Sequence, residues 1–226
     1  MAKTSKNNTP APIKVFSVED HPTFRKGLAE ILRGERDLKV CGHAGTATEA
    51  LRSIARLRPD LVLVDITLPG KSGLDLIKEL RARDGAIKIL VLSMHDEAIY
   101  ATRVLRAGGN GYIMKQEDPE EIIRAVRDVL QGHIYVSERV LASLPRPSAK
   151  HGSGANRRRL DDLTDQELEI LEWLGQGKTS RQIAREHPLV FRSVVASCAR
   201  MRKKLKLRSL NELVRYAVSW VETGES

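Results

Sequence analysis

The sequence predicts an α/β fold with a doubly wound, five-stranded parallel sheet, followed by a second, all-α domain. Over residues 13–131, five short apolar runs alternate with stretches whose apolar residues recur at helical spacing. A segment rich in Pro, Gly, Ser and Lys then follows at 145–159. Residues 163–221 carry four further helical patterns with no strand pattern between them. Alternating strands and helices imply right-handed βαβ crossovers, and therefore a parallel sheet with helices on both faces.

The five strands are predicted from short runs of aliphatic and β-branched residues. In chain order they are IKVFSV (13–18), LKVCGHA (38–44), LVLVD (61–65), IKILVLS (87–93) and GYIM (111–114). The third and fourth runs are almost entirely apolar, which is typical of central strands that are covered on both faces. Each run is followed by a helical pattern long enough to cross back over the sheet.

The helices of the second domain have clear start signals. In the pattern LTDQELEILEWLGQG, Thr164 stands at the N-cap position and Glu167 three residues later, which is the spacing of a capping box. Three more helices are predicted at 179–186, 191–206 and 209–220. The sequence thus divides into a polar, disordered tail (1–12), an α/β domain (13–132), a short helix with a flexible linker (133–162) and a helical domain (163–221).

The net charge of +9 is concentrated in the second domain. Residues 13–144 contain 20 basic and 19 acidic residues, whereas residues 157–208 contain 13 basic and 7 acidic ones. The stretch 191–208 holds seven basic residues and no acidic residue. This uneven distribution indicates that the second domain meets a polyanion.

The composition also argues against a membrane or secreted protein. The apolar runs all fall short of the roughly 18 residues that a membrane span needs. The first residues, MAKTSKNNTPAP, lack the apolar core of a signal peptide. Cys41 and Cys198 lie far apart and in different predicted domains, so we expect two reduced thiols. We therefore expect a cytoplasmic protein with no membrane contact.

Five chemically distinctive side chains fall at the carboxyl ends of the predicted strands, where ligand sites of open α/β sheets form. They are Glu19, Asp20, Asp65, Ser93 and Lys115. Three carboxylates beside one lysine favour a bound cation, and hard oxygen ligands suit Mg²⁺. A carboxylate next to such an ion and an ammonium group can accept a phosphoryl group.

Residues 13–130 resemble the receiver domain of two-component response regulators, which has a flavodoxin-like sheet. The matching segments are VED, DITLPGKSG, VLSMHDE and GYIMKQE. The resemblance implies that Asp65 accepts phosphate from a histidine kinase and that Lys115 pairs with the phosphoryl group. It further implies that Ser93 and Tyr112 form the conformational switch. The implied Mg²⁺ ligands are Glu19, Asp20, Asp65 and the backbone carbonyl of Thr67.

Residues 163–218 resemble the LuxR-type helix-turn-helix domain of the NarL/FixJ subfamily, through LTDQELEILEWLGQGKTSRQIA and KLKLRSLNELVRYAV. The resemblance implies that the helix at 191–206 enters the major groove of DNA, and that the last helix supports a homodimer when the protein is active. The DNA-contacting residues implied on the 191–206 helix are Arg192, Ser193, Val195, Ala196, Ser197, Ala199, Arg200, Lys203 and Lys204.

The turn of this domain departs from the family pattern. His187 and Pro188 stand where the family has a Leu-Gly pair, and Pro188 biases His187 away from helical backbone angles. Val190 replaces the serine that caps the helix in the family. One alternative is that Pro188 is the first residue of a longer reading helix, because proline is favoured at that position.

Two functions of different class are consistent with these features. The first is a phosphorylation-controlled transcription regulator that is not an enzyme. The second is a response regulator that acts through protein–protein contacts, with weak or non-specific DNA binding, because Val195, Ala196 and Ala199 offer only apolar contacts to bases. A phosphatase of this fold is disfavoured, since ITLPG after Asp65 lacks a second aspartate that could serve as an acid.

Overall fold

The computed structural model describes residues 11–143, 160, 162–187 and 189–223. The chain forms two compact units that divide after Leu144. Residues 1–10 of the predicted tail, most of the predicted linker and Pro188 lie outside the described residues. The predicted domain boundaries at 132 and 162 stay predictions. Among the described helices, none combines the length and the apolar character that a membrane crossing requires.

The first unit contains the predicted five-stranded parallel sheet, with strand order β2-β1-β3-β4-β5. The strands are β1 (Ile13–Val18), β2 (Leu38–Ala44), β3 (Leu61–Val64), β4 (Lys88–Ser93) and β5 (Gly111–Met114). The helices are α1 (Pro22–Arg33), α2 (Ala47–Leu57), α3 (Gly73–Arg83), α4 (Glu97–Ala107), α5 (Pro119–Gln131) and α6 (Glu138–Ser143). The strand predictions are confirmed to within one residue at each end.

The central strands are buried because helices cover both faces of the sheet. All four residues of β3 are buried, as their uninterrupted apolar sequence predicts. Helix α1 starts with Pro22 and α5 with Pro119. Proline is favoured at this first position because a backbone N–H there would have no partner within the helix. Ser72 caps α3 by accepting a hydrogen bond from the Asp75 amide.

Gly73 is required by a close approach of the chain to the end of β3. A Cβ atom built on Gly73 would lie 2.1 Å from the carbonyl oxygen of Asp65. The Gly73 amide also donates to the carbonyl of Ile66 at 2.8 Å. The start of α3 is therefore held against the backbone of the predicted phosphoacceptor.

The second unit contains the four predicted helices: α7 (Asp165–Gly175), α8 (Ser180–Glu186), α9 (Phe191–Leu205) and α10 (Leu210–Thr223). The capping box of Thr164 and Glu167 is confirmed, and Thr179 with Gln182 forms a second one. The last helix starts one residue later than predicted, because Ser209 accepts a hydrogen bond from the Glu212 amide as a cap does.

A small aliphatic core with two indoles holds these helices together. The side chains that are fully or almost fully buried include Leu168, Trp173, Ile183, Val194, Met201, Leu205 and Trp220. The helices α7 and α10 cross closely, since a Cβ on Gly175 would meet the Ala217 carbonyl oxygen at 2.4 Å. The packing of α9 against this core fixes which of its faces remains open to solvent.

Candidate functional site

The order of the strands places the predicted site at a crevice in the first unit. From β1 the chain crosses to β2 on one side, while β3 pairs with β1 on the other. This reversal opens a crevice at the carboxyl ends of β1 and β3, where ligands of doubly wound sheets bind. Glu19 and Asp20 follow β1, and Asp65 follows β3, so the topology alone brings these residues together.

Glu19, Asp20, Asp65 and Lys115 form one charged group, which we call the rim cluster. The ammonium nitrogen of Lys115 lies 2.8 Å from Asp65 Oδ2 and 2.6 Å from Glu19 Oε2. The Glu19 and Asp65 side chains are 3% and 4% exposed, so these ion pairs are shielded from water. Lys115 also lies over the ring of Phe24, 4.5 Å from its centroid, which adds a favourable cation–π contact.

The burial of the rim cluster changes the acidity of its members. Burial raises the pKa of Asp65 to about 6, against the opposing effect of Lys115 and with a further contribution from the charge of Glu19. Burial by itself lowers the pKa of Lys115, but the two carboxylates outweigh it and leave that pKa above its ordinary value. One ammonium group therefore does not compensate the buried carboxylates.

The donor set of the rim cluster fits a hard divalent cation. Carboxylate oxygens of Glu19, Asp20 and Asp65 and a nitrogen of His21 all lie within 4.8 Å of one another. Asp20 Oδ1 is shielded from solvent and accepts no hydrogen bond from the described part of the chain. The ring nitrogen His21 Nδ1 lies 2.8 Å from this oxygen. Excess carboxylate charge with an unsatisfied oxygen is the arrangement that Mg²⁺ neutralises.

The predicted switch residues lie next to the rim cluster. Ser93 ends β4 with its side chain fully buried, and its hydroxyl accepts a hydrogen bond from the His95 amide at 3.2 Å. The amide of Thr67 donates to Asp65 Oδ1 at 3.3 Å. Tyr112 is fully buried and donates its hydroxyl proton to the carbonyl of His95 at 2.7 Å. The backbone of His95 thus contacts both switch residues, Ser93 and Tyr112.

Three neighbours of this site were not predicted from the sequence. Arg25 donates to the Glu19 carbonyl at 2.9 Å, and Phe24 supports Lys115. His95 bonds Thr67 through Nε2 and Oγ1 at 2.7 Å, across 28 residues of sequence. The position of His95 two residues after the switch serine was a visible signal, but its contact with Thr67 depends on how the two loops meet.

The second unit presents α9 with one buried and one open face. Val194, Cys198, Met201 and Leu205 are buried against the core of the unit. Six of the predicted DNA-contacting side chains are exposed or half-buried on the other face: Arg192, Ser193, Val195, Ala196, Ala199 and Lys203. The open face therefore has an apolar centre between positively charged residues near both ends.

The other three predicted contacts, Ser197, Arg200 and Lys204, have partners within the unit. Ser197 is fully buried and accepts a hydrogen bond from the Arg200 guanidinium at 2.8 Å, so its hydroxyl is not available to a base edge. Arg200 Nε and Lys204 Nζ lie 3.0 and 2.6 Å from the two carboxylate oxygens of Glu167, whose side chain is buried. Helix phase explains the burial of Ser197, which shares the inward stripe with Val194 and Met201. The DNA contacts of Arg200 and Lys204 stay predictions.

The unusual turn is stabilised by an aromatic contact. His187 has extended backbone angles (φ −118°, ψ 153°), as the following proline predicts. Its ring stacks on Trp173 of α7, with centroids 3.6 Å apart and planes 15° from parallel. The idea that the reading helix starts at Pro188 is wrong, because α9 begins at Phe191 after Val190, which makes no side-chain cap.

Comparison with known proteins supports this two-part architecture. Residues 15–127 match the response regulator receiver domain family, and residues 161–217 match the bacterial regulatory proteins of the luxR family. The chain is 35% identical to the transcriptional activator protein ExaE of Pseudomonas putida over 208 residues, which covers 90% of this chain and 95% of ExaE. It is 31% identical to the DNA-binding transcriptional activator DevR/DosR of Mycobacterium tuberculosis, over 91% of this chain and 94% of that protein.

A solved structure shows the same likeness over part of the chain. It is a two-component response regulator of the LuxR family from Aurantimonas sp. SI85-9A1, with 32% identity and a TM-score of 0.56. The match covers 58% of this chain and 94% of that one. These likenesses favour a DNA-binding output over the protein–protein alternative. They also confirm the prediction that the chain is a transcription regulator rather than an enzyme. The chain belongs to the two-component response regulators of the NarL/FixJ subfamily, which are transcription regulators built from a receiver domain and a LuxR-type DNA-binding domain.

Proposed function

We propose that a histidine kinase phosphorylates this regulator on Asp65, and that the phosphorylated form binds DNA through α9. The observation that carries the proposal is the ion pair of Lys115 with Asp65 inside a group of three carboxylates. The surface pair of Asp75 with Lys78 is open to solvent, whereas the pair of Asp65 with Lys115 is buried. The buried ammonium group favours a phosphoryl group at Asp65, because it offers a charge that the transferred oxygens need.

The proposed transfer exchanges one bond to phosphorus for another. A carboxylate oxygen of Asp65 attacks phosphorus, the N–P bond of a phosphohistidine breaks, and the departing imidazole takes up a proton. Glu19, Asp20, Asp65 and the carbonyl of Thr67 would hold Mg²⁺, which when bound neutralises charge on the phosphoryl oxygens. Lys115 then pairs with the product aspartyl phosphate, and the Ser93 hydroxyl turns towards it with Tyr112 following.

The phosphoacceptor is tested with the full chain, MgCl₂ and acetyl phosphate, which supplies a phosphoryl group without a kinase. Intact-mass analysis should show one added phosphoryl group on the natural chain and none on Asp65→Asn. Asp75→Asn, a change to a partly exposed carboxylate on α3, is the matched control and should still gain the group. Phosphorylation of the Asp65→Asn chain would overturn the assignment.

The DNA contacts are proposed on the open face of α9. Arg192 and Lys203 supply cationic contacts near its two ends, with Ser193 as a polar contact, while Val195, Ala196 and Ala199 lie between them. Phosphate contacts set affinity and register, whereas base edges set sequence choice. An apolar centre can meet the methyl group of thymine in the major groove, which is the apolar feature that natural base pairs offer there.

This apolar contact is tested by selecting sites from a random duplex library and then replacing single thymines by uracil. Each contacted methyl group should contribute about 0.8 kcal/mol, which is roughly a fourfold loss of affinity when it is removed. Val195→Ala should lower the effect of the same replacement. Equal binding of thymine and uracil duplexes at every selected position would contradict the proposed contact while leaving DNA binding itself intact.

We also propose that the active form is a homodimer and that it acts in the cytoplasm, where a regulator of transcription meets DNA. Leu210 and Val221 of α10 remain exposed, at 45% and 42%, and provide apolar surface for a second copy. Sedimentation velocity with and without beryllofluoride, a mimic of the bound phosphoryl group, tests the dimer. Leu210→Ser should shift the distribution towards monomer.

A further inference from the structure

We propose that His95 is the positioning residue that couples phosphorylation of Asp65 to helix α4 and to the segment 133–143 that follows α5. The inference rests on the proposed role of Asp65. It goes beyond that role because it assigns the coupling to a side chain outside the phosphoacceptor, the cation site and the Ser93–Tyr112 switch.

His95 contacts the loop after β3, the end of β4, strand β5 and helix α4. Its Nε2 bonds Thr67 Oγ1 at 2.7 Å, and its amide donates to Ser93 Oγ at 3.2 Å. Its carbonyl accepts the Tyr112 hydroxyl proton at 2.7 Å. Its ring lies 4.7 Å from the ring of Tyr100, which is fully buried in α4. His95 as a whole residue is 7% exposed, so these contacts are largely shielded from bulk water.

The Thr67 contact joins the phosphoacceptor loop to the switch loop. Thr67 donates its amide proton to Asp65 Oδ1. A phosphoryl group on Asp65 therefore changes the hydrogen-bond acceptor of this amide. Because the hydrogen bond between Thr67 Oγ1 and His95 Nε2 is short, a displacement of Thr67 also displaces the imidazole of His95. The two loops therefore move together, and this link does not pass through the Ser93 hydroxyl.

The route continues from α4 towards the end of the first unit. Glu97, in the first turn of α4, accepts a hydrogen bond from the Ser137 amide at 2.7 Å. The amide of Tyr112 donates to the carbonyl of Tyr135 at 2.8 Å. The segment 133–143 thus bonds to both α4 and β5, and it precedes the residues that lead to the second unit in sequence. A shift of α4 reaches this segment through the Glu97–Ser137 hydrogen bond, and a shift of Tyr112 in β5 reaches it through the carbonyl of Tyr135.

A chain of contacts is a coupling route only if its removal changes the response at the far end. The full-length protein with MgCl₂ is therefore measured with and without beryllofluoride, and amide hydrogen exchange is followed for peptides from 97–107 and 133–143. In the natural chain, beryllofluoride should change exchange in both peptides. His95→Ala should reduce that change roughly fivefold or more, the lower end of typical coupling between sites.

Three companion variants separate coupling from loss of structure. His95→Gln keeps an amide that can reach Thr67 and should restore part of the response. Thr67→Val, measured at saturating beryllofluoride, should match His95→Ala, and the double variant should be no worse than either, because both remove one shared hydrogen bond. Met94→Ala changes the 59% exposed neighbour in the same loop and should respond like the natural chain.

The outcomes distinguish this inference from the function on which it rests. His95→Ala should still be phosphorylated by acetyl phosphate at a rate close to that of the natural chain, since His95 does not touch Asp65 in the proposed chemistry. A full exchange response in that variant would overturn the coupling role alone. No response in the natural chain would overturn the proposed function and the coupling role with it.

Discussion

Each unit of this regulator contains a buried carboxylate that lies within 2.8 Å of a lysine nitrogen, yet the two sites have opposite charge balance. In the rim cluster, one lysine faces Asp65 and Glu19, with Asp20 nearby. In the second unit, one carboxylate, Glu167, faces both Arg200 and Lys204.

The acidity of the two carboxylates follows this difference. Burial raises the pKa of Asp65, and its one cation does not reverse the effect. Burial also acts to raise the pKa of Glu167, but Lys204, the Thr164 amide and Arg200 outweigh it and leave that pKa below its ordinary value. A buried ion pair therefore indicates chemistry only when its charges do not balance, whereas a surplus of cations and hydrogen bonds indicates a structural contact.

The largest expected effect is on the structural side of the comparison. Glu167→Gln keeps the capping box but leaves Arg200 and Lys204 without their anion. Losing one partner of a fully buried pair costs about 3–5 kcal/mol, and we expect about 2 kcal/mol here because both cations reach solvent. Urea unfolding followed by tryptophan fluorescence measures this, since both tryptophans lie in the second unit. Unchanged stability would show that the ion pairs of Glu167 do not stabilise the packing of α7 against α9.

The matching change in the rim cluster should weaken cation binding while leaving the fold intact. Glu19→Gln removes one of three carboxylates that repel one another, so we expect Mg²⁺ affinity to fall roughly tenfold. Titration calorimetry with MgCl₂ measures the affinity, and circular dichroism measures the thermal transition. Glu30→Gln, on the exposed face of α1, is the control. A large loss of stability with unchanged affinity would place Glu19 in the structural class with Glu167.

A third prediction separates the two kinds of cation on α9. Lys203 is exposed, whereas Lys204 pairs with Glu167. Lys203→Ala should reduce the slope of log affinity against log salt concentration by about one unit while leaving urea stability unchanged. Lys204→Ala should lower stability and change the salt slope less. Fluorescence anisotropy at a series of salt concentrations decides this, and an equal change of slope in both variants would contradict the assignment.

The smallest expected effect is a dependence of stability on pH. Because the pKa of Glu167 is lowered on folding, its contribution is present above the ordinary glutamate pKa of about 4.3 and is lost as the pH falls through the lower, folded value. Tryptophan-detected unfolding between pH 7 and pH 3 should therefore show a steeper acid loss in the natural chain than in Glu167→Gln. Parallel curves would count against this linkage.

The sequence by itself determined the fold and the members of the rim cluster. Strand periodicity locates the carboxyl end of each strand, and a parallel sheet brings those ends to one edge, so Glu19, Asp20, Asp65 and Lys115 could be predicted to meet. Spacing also predicted the cap of Thr164 with Glu167 and the extended backbone of His187. These are local properties, or they follow from topology alone.

Only the tertiary structure decided which side chains are engaged by distant partners. Ser197 is turned inward because the packing of α9 fixes its rotation, and Glu167 binds Arg200 and Lys204 across 33 and 37 residues of sequence. The contact of His95 with Thr67 and the stacking of His187 on Trp173 arise in the same way. Hydrogen bonds and ion pairs depend on distances of a few tenths of an ångström, which periodicity cannot supply, and the packed core sets those distances.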